Sequence, residues 1–379
     1  MHAESSWAKL CAPAALGLAA ALGAAPGSAQ EQTRSLDSED VAREAQEEAA
    51  EEIPAPRFTW GLGMEVQNDF TFDADDPDAE LNDLYPSITA ELGLELLEDT
   101  GVFATLVLEP VLDPEDDRVF EDIGLYAEEL FAQAGFGAVV VKGGKFNPAF
   151  GQAWDAPGIY GGGFAGDYEL LERIGGALSF DFEAAGGEHS ATASVFMADR
   201  TFLSDSLFTD RGQLERDDGG PSNTGGPESV ALALDGAFGD TGYTAGFLYQ
   251  SGGRGDPGDE LGFVAGLNQV LEAGPGELFL QAEAAYFSEY QAGPDDAVIA
   301  TFIGEYGIDA VTVSAEYALR DVDGASTDHF ATATVEYEFF EGLSAGIGYA
   351  YTREESEDSH TLGLLLVYEI GGGFGLGGL

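Results

Sequence analysis

An all-β transmembrane antiparallel β-barrel of about 16 strands, with short periplasmic turns and long extracellular loops, is the architecture this sequence implies. Three observations carry that expectation. From Phe58 to the end of the chain, apolar and polar residues alternate with a period of two. No apolar run reaches the roughly 18 residues that a membrane-crossing helix requires. Every second link between strands is short, whereas the links between them are long and acidic.

Taken in chain order, Lys9 precedes the apolar run "LCAPAALGLAAALGAAP", and small residues follow in "GSA". A charged start, an apolar core and a small-residue cleavage site describe a secretory signal peptide over residues 1–29. Its removal takes away Cys11, the only cysteine, and with it disulfides and cysteine-ligated metals. No cofactor is expected. Residues 30–56 form an acidic Glu/Ala-rich periplasmic arm that reads as a short polar helix or a disordered segment. It could serve as a tether, form a small coiled coil, or take no order. Pro54 and Pro56 end any helix there.

The barrel is expected over residues 57–370, followed by a Gly-rich tail at 371–379. Strands are placed near 58–67, 86–97, 101–109, 122–132, 136–146, 173–183, 189–198, 229–238, 241–250, 260–271, 276–287, 296–305, 308–320, 328–339, 343–352 and 360–370. In the first, Phe58, Trp60, Leu62, Met64 and Val66 make an oily face opposite Thr59, Gly61, Gly63, Glu65 and Gln67. Strict alternation of this kind suits a wall with lipid on one side and water on the other. The segments near 123–132 and 297–305 can be phased either way. The short links include "EDT", "QAG" and "EGL"; the long ones cover 68–85, 110–121, 147–172, 199–228, 251–259, 288–295, 321–327 and 353–359. Closure into a barrel also removes the exposed edges of so large a sheet.

The chain carries 70 acidic and 14 basic side chains, a net charge of −56. That balance argues against nucleic acid as a partner and suits a solvated surface kept soluble in strong salt, as in a halophile. An apolar content of 44% with 11% aromatic residues is too high for a disordered acidic chain. Glu65, Glu91, Glu95, Asp181, Asp235, Glu283, Glu316, Glu336 and Glu338 all phase to the inner face, with Arg320 the main basic addition. With Val139 and Val141 facing lipid, Lys142 points into the lumen and Lys145 outward near the upper rim, where its stem can reach headgroups. The opposite phase would strand Lys142 in lipid at a cost of roughly 2–4 kcal/mol. Arg173 phases inward beside Lys142.

Over about residues 57–370 the chain resembles Gram-negative outer-membrane porins of the 16-stranded type. "TLGLLLVY", residues 361–368, is similar to the family's assembly signal. "GGKFNPAFG", residues 143–151, is similar to the strand-to-loop segment of phosphate-selective and siderophore-uptake barrels. The resemblance implies placement among outer-membrane lipids, recognition of residues 361–368 by the barrel-assembly machinery, and a homotrimer. It also implies that the third long loop, 147–172, folds inward and narrows the pore; a surface loop is the alternative. Two features depart from the family: "EIGGGFGLGGL" runs on past Tyr368, and the chain is too poor in Arg and Lys for a phosphate ladder.

On that basis Lys142, Arg173 and Arg320 are the expected basic side of a constriction, facing Asp155, Asp167, Glu169 and Glu172 of the loop. Opposed charges of this kind create a transverse field that sorts solutes. The alternative is that the lysines only neutralise nearby carboxylates. The implied function is passive diffusion of small hydrophilic solutes and ions with a mild cation preference, or else a substrate-selective channel for a sugar, oxyanion or metal chelate. An enzyme is not expected. Ser190 and Ser359 adjoin His189 and His360, but sequence neighbours on a strand face opposite sides, and no nucleophile motif is present. The acid run "DADDPDAELND" lacks the turn glycine of a calcium loop.

Overall fold

The structure is a computed structural model and describes residues 42, 43, 45–47, 50, 53–116 and 118–376. The expected signal peptide, with Cys11, lies outside these residues.

Seventeen strands form one sheet. They are β1 (Arg57–Ala74), β2 (Asn82–Leu97), β3 (Thr100–Pro110), β4 (Ile123–Phe136), β5 (Val139–Phe146), β6 (Arg173–Ala184), β7 (Gly187–Ala198), β8 (Leu207–Phe208), β9 (Ser229–Phe238) and β10 (Thr241–Gln250). β11 (Glu260–Ala273), β12 (Gly276–Ser288), β13 (Ala297–Ile308), β14 (Val311–Val322), β15 (Asp328–Phe340), β16 (Leu343–Glu354) and β17 (Glu357–Gly375) complete it. β8 stands apart: its two residues pair with Gly124 and Leu125 of β4, while β7 pairs directly with β9. The other sixteen close a ring, because β1 pairs with β2 on one side and with β17 on the other, all antiparallel.

The two-residue period sorts side chains between lipid and lumen. On β15, Val335, Tyr337 and Phe339 are exposed outward, whereas Thr332, Thr334 and Glu336 are buried inside the ring. Outward-facing tyrosines are tied to neighbouring strands near the strand ends. Tyr317 meets His329 Nδ1 at 2.9 Å, Tyr349 meets His360 Nδ1 at 2.6 Å, and Tyr243 meets His189 Nδ1 at 2.8 Å. Such amphipathic rings suit the boundary between hydrocarbon and water. All three described histidines thus use Nδ1 for a tyrosine hydroxyl.

The strands outrun several expected boundaries. β17 continues through Gly375, in register with β1 down to Arg57, so residues 371–375 of the expected tail are strand. The links expected at 68–85 and 353–359 shrink to 75–81 and 355–356. Both ambiguous strands have a physical explanation. β4 is bulged where Thr105 and Leu106 oppose Glu129 and Ala127, which shifts its phase midway. β13 is apolar on both faces because Ile299 and Ile303 turn inward onto a hydrophobic core inside the ring.

Candidate functional site

That inner core is built by the loop between β5 and β6. Phe150, Trp154, Phe164, Tyr168 and Leu170 pack against Leu248, Val264, Phe287, Ile299 and Ile303 on the inner faces of β10–β13. The loop starts and ends on one side chain. Asn147 donates from its backbone to Glu129 (2.8 Å) and from Nδ2 to Glu128 (2.7 Å), and its Oδ1 accepts the backbone N–H of Glu172 (2.8 Å). Both ends are therefore stapled to β4, and the span between them crosses to the far wall.

On the far wall the loop's polar backbone finds carboxylates. Glu283 of β12 accepts from the backbone N–H groups of Gln152 (2.9 Å) and Ala153 (3.0 Å) and from the Tyr168 hydroxyl (2.6 Å). Glu316 of β14 accepts from Gly162 N–H (2.9 Å), and Thr334 of β15 from Ile159 N–H (3.1 Å). Tyr160 reaches β1 and donates to Asp69 at 2.6 Å. Gln152 Nε2 donates to Asp235 of β9 at 2.9 Å. Buried backbone donors need such partners, each worth about 1.5–3 kcal/mol when the acceptor is charged. Glycine permits the tight passage. Gly162, at φ 86°, sits so close to Trp154 that a side chain there would overlap its carbonyl.

Lys142 lies with its Nζ 4.0 Å from the centre of the Phe131 ring, which stacks on Phe103 at 5.5 Å. Val141, its neighbour, is exposed outward, as the expected phase requires. Lys145 keeps its register with Leu130 and Ile174, but its side chain is covered rather than free to reach headgroups. It is 1% exposed, with Nζ 2.7 Å from Glu172, 3.0 Å from Asp199 and 2.9 Å from the Leu203 carbonyl. The outward, headgroup-reaching position for Lys145 is therefore corrected.

The three expected constriction cations are not one patch. Lys142 is in register with Ala177, four residues along β6 from Arg173, which puts the two positions about 13 Å apart. Arg173 is partly buried and pairs in register with Phe146 and Ala198. Arg320 stands on the far wall and holds the loop there. It binds Asp167 (2.7 Å), Asp328 (2.9 Å) and Glu354, with its guanidinium 4.5 Å from the Phe164 ring centre.

The loop acids are likewise dispersed. Asp167 belongs to the Arg320 cluster and also accepts from Tyr290 (3.0 Å). Glu172 is shared by Lys145 and Arg211, whose guanidinium lies 3.6 Å from the Tyr126 ring centre. Asp155 and Glu169 are partly buried within the loop. Among the wall carboxylates, Glu91 accepts from Thr105 (2.8 Å) and Glu95 takes both arms of Arg57. Glu283 and Glu316 serve the loop, Glu336 is buried, and Glu65, Asp181 and Glu338 are partly buried on inner-face positions.

Three participants were not legible as such. Arg211 and Asp199 belong to a long link whose path over β4 no periodicity announces. Asp69 continues the inward row of Glu65 and Gln67, a signal present in the sequence but hidden by the boundary expected at residue 67.

Comparison with solved structures places this ring among outer-membrane barrels. A loop-deletion form of OmpT, an outer-membrane protein of Vibrio cholerae, superposes with a TM-score of 0.54 at 11% identity, covering 82% of this chain and 98% of that one. The outer-membrane channel DcaP of Acinetobacter baumannii gives 0.53 at 12% identity, over 83% and 96%. A mutant porin of Rh. blastica gives 0.52 at 14% identity, over 83% and 100%. The chain therefore has the fold of a 16-stranded outer-membrane porin. No protein-family model matches the sequence, and no curated protein is detectably similar to it.

Proposed function

We propose that this protein is an outer-membrane porin, a water-filled channel through which small hydrophilic solutes and ions diffuse passively, with a mild preference for cations. The observation that carries this reading is the loop 147–172 crossing inside a closed barrel, tied to the wall at Glu283, Glu316, Thr334 and Asp69. An inward loop narrows a pore to a fixed size, where a surface loop would leave it wide or merely cover it. Cation preference follows from an inner face that carries many more carboxylates than cations. By the same likeness we expect outer-membrane lipids around the ring, a homotrimer, and recognition of residues 361–368 by the assembly machinery. In support of that reading, Leu362, Leu364, Leu366 and Tyr368 are exposed outward, while Leu365 and Val367 are buried inside.

Planar-bilayer recordings test the proposal. Discrete ohmic steps with a reversal potential favouring cations are expected, and Lys142→Glu should increase that preference measurably at 0.1 M salt. Closed bilayers would sink the channel, and an unchanged reversal potential would remove Lys142 from the ion path. A substrate-selective channel on the same barrel has one observation in its favour, the lumenal cation lying on the Phe131–Phe103 stack. Currents blocked by an aromatic or sugar solute, and unblocked in Phe131→Ala, would favour that second reading.

A further inference from the structure

Loop 147–172 enters from the long-loop end of the barrel. At the opposite, short-turn end, a second segment lies within the ring. Residues 42, 43, 45, 46, 47 and 50 are helical, with Ala42 0% exposed, Ala45 6% and Gln46 8%. Gln46 Nε2 donates to Thr59 Oγ1 of β1 at 2.5 Å. Thr59 belongs to the inward face, as do Arg57 and Glu95, whose ion pair at 2.8 Å closes the wall just below.

The wall is shaped for this helix. Gly61 of β1 pairs in register with Gly371 of β17, and Gly93 of β2 pairs with Thr59. A methyl group on Gly61 would overlap the Ala42 carbonyl, one on Gly93 would overlap the Gln46 amide, and one on Gly371 would overlap Ala45. Three adjacent strands thus present glycine on the inner face where the helix backbone touches them. None of the three has a positive φ, so turn geometry does not explain them. Close approach of a second backbone does. The helix answers with the small residues Ala42 and Ala45 at the contact.

We infer that the N-terminal helix, through its described residues 42, 43, 45–47 and 50, is a second, size-determining element of the channel, seated in the lumen at its short-turn end. This rests on the porin reading above. A helix with its side chains is about 10–12 Å across, a large obstruction in any lumen of this kind. Arg43 and Glu47 also lie within electrostatic reach of Glu91 on β2, so the segment brings charge as well as bulk to the wall.

The test compares single-channel conductance of the full chain, a form lacking residues 31–50, and Gly61→Leu. Removing the segment should raise conductance about 1.5- to 2-fold, as the obstructing cross-section disappears. Gly61→Leu should raise it in the full chain, by unseating the helix, yet lower it or leave it unchanged in the shortened one. An added side chain in an open lumen can only narrow it, so this reversal of sign is specific to a seated helix. In a Cys11→Ser background, Ala42→Cys should react slowly with a charged thiol reagent and at least ten-fold faster once Gly61→Leu is added. Equal conductance with and without residues 31–50, or an Ala42→Cys that labels as fast as in unfolded protein, would overturn the inference alone. Absence of current steps from every form would overturn the channel reading and this inference with it.

Discussion

Lys145 illustrates how a cation survives inside so acidic a chain. Its Nζ is surrounded by Glu172, Asp199 and the Leu203 carbonyl, and the Asp199 side chain is only 1% exposed. Bringing an ammonium and a carboxylate out of water costs several kcal/mol each, recovered only while both are present. Lys145→Met is therefore expected to destabilise the folded barrel by about 3–5 kcal/mol, because Asp199 would be left buried without its cation. The double variant Lys145→Met, Asp199→Leu should recover part of that loss. Denaturant unfolding in detergent micelles measures both, and equal stability of the single variant and the parent would show the pair to be dispensable. The contrast with Lys142 marks what one sequence discloses at this scale. Alternation through Val139 and Val141 fixes which way Lys142 points. Lys145 keeps its register with Leu130 and Ile174, and what buries it comes from other parts of the chain. Its partners, Asp199 and Leu203, sit more than fifty positions away.

Among the elements, loop 147–172 converts a barrel wall into a lined interior. One carboxylate, Glu283, gathers two backbone donors and a tyrosine hydroxyl from it. Glu283→Ala would leave the buried N–H groups of Gln152 and Ala153 unpaired, at about 1–3 kcal/mol each. The loop should then loosen from β12, giving noisier and larger current steps while the barrel itself still forms. Steps of parental size and noise in Glu283→Ala would show that the loop does not set the channel's width. The inward course of this loop was an implication of the porin resemblance, which its glycine and aromatic content fits but does not by itself require. The receiving surface was not legible in the sequence. Ile299, Ile303 and Phe287 place apolar side chains on what a simple barrel would leave wet, and they blur the period of β13 in particular. A lumen filled by its own chain needs oily residues on both faces, and a two-solvent pattern cannot distinguish that from noise. The same limit hid the glycines at 61 and 93, which read as blank positions on the polar face, and Gly371, expected in the tail, until a helix is seen to rest on them.

At the scale of the whole molecule the dominant quantity is the charge, 70 acidic against 14 basic side chains. A net charge of −56 repels itself in the compact state, and that repulsion acts through solvent over the loops and the rims. The attractions that oppose it are of another kind. Arg118 grips Asp83 under the link between β3 and β4, with side-chain exposures of 5% and 2%, and Lys145 meets Asp199 at 0% and 1%. Salt screens exposed charges strongly and buried pairs little. Raising sodium chloride from 0.1 to 1 M shortens the Debye length from about 10 Å to about 3 Å, so repulsion weakens while the buried pairs persist. The barrel should therefore melt higher in strong salt, by about 2 °C, equivalent to a gain of roughly 1–2 kcal/mol for a chain of this size. A protein held by exposed ion pairs would respond in the opposite direction. The proposed cation preference should fall over the same interval, since wall carboxylates that favoured cations would be screened by them. Thermal unfolding in one detergent at both salt concentrations, read beside reversal potentials at matched gradients, decides the matter. A melting temperature that falls or stays level would mean that surface attraction, not repulsion, governs this fold.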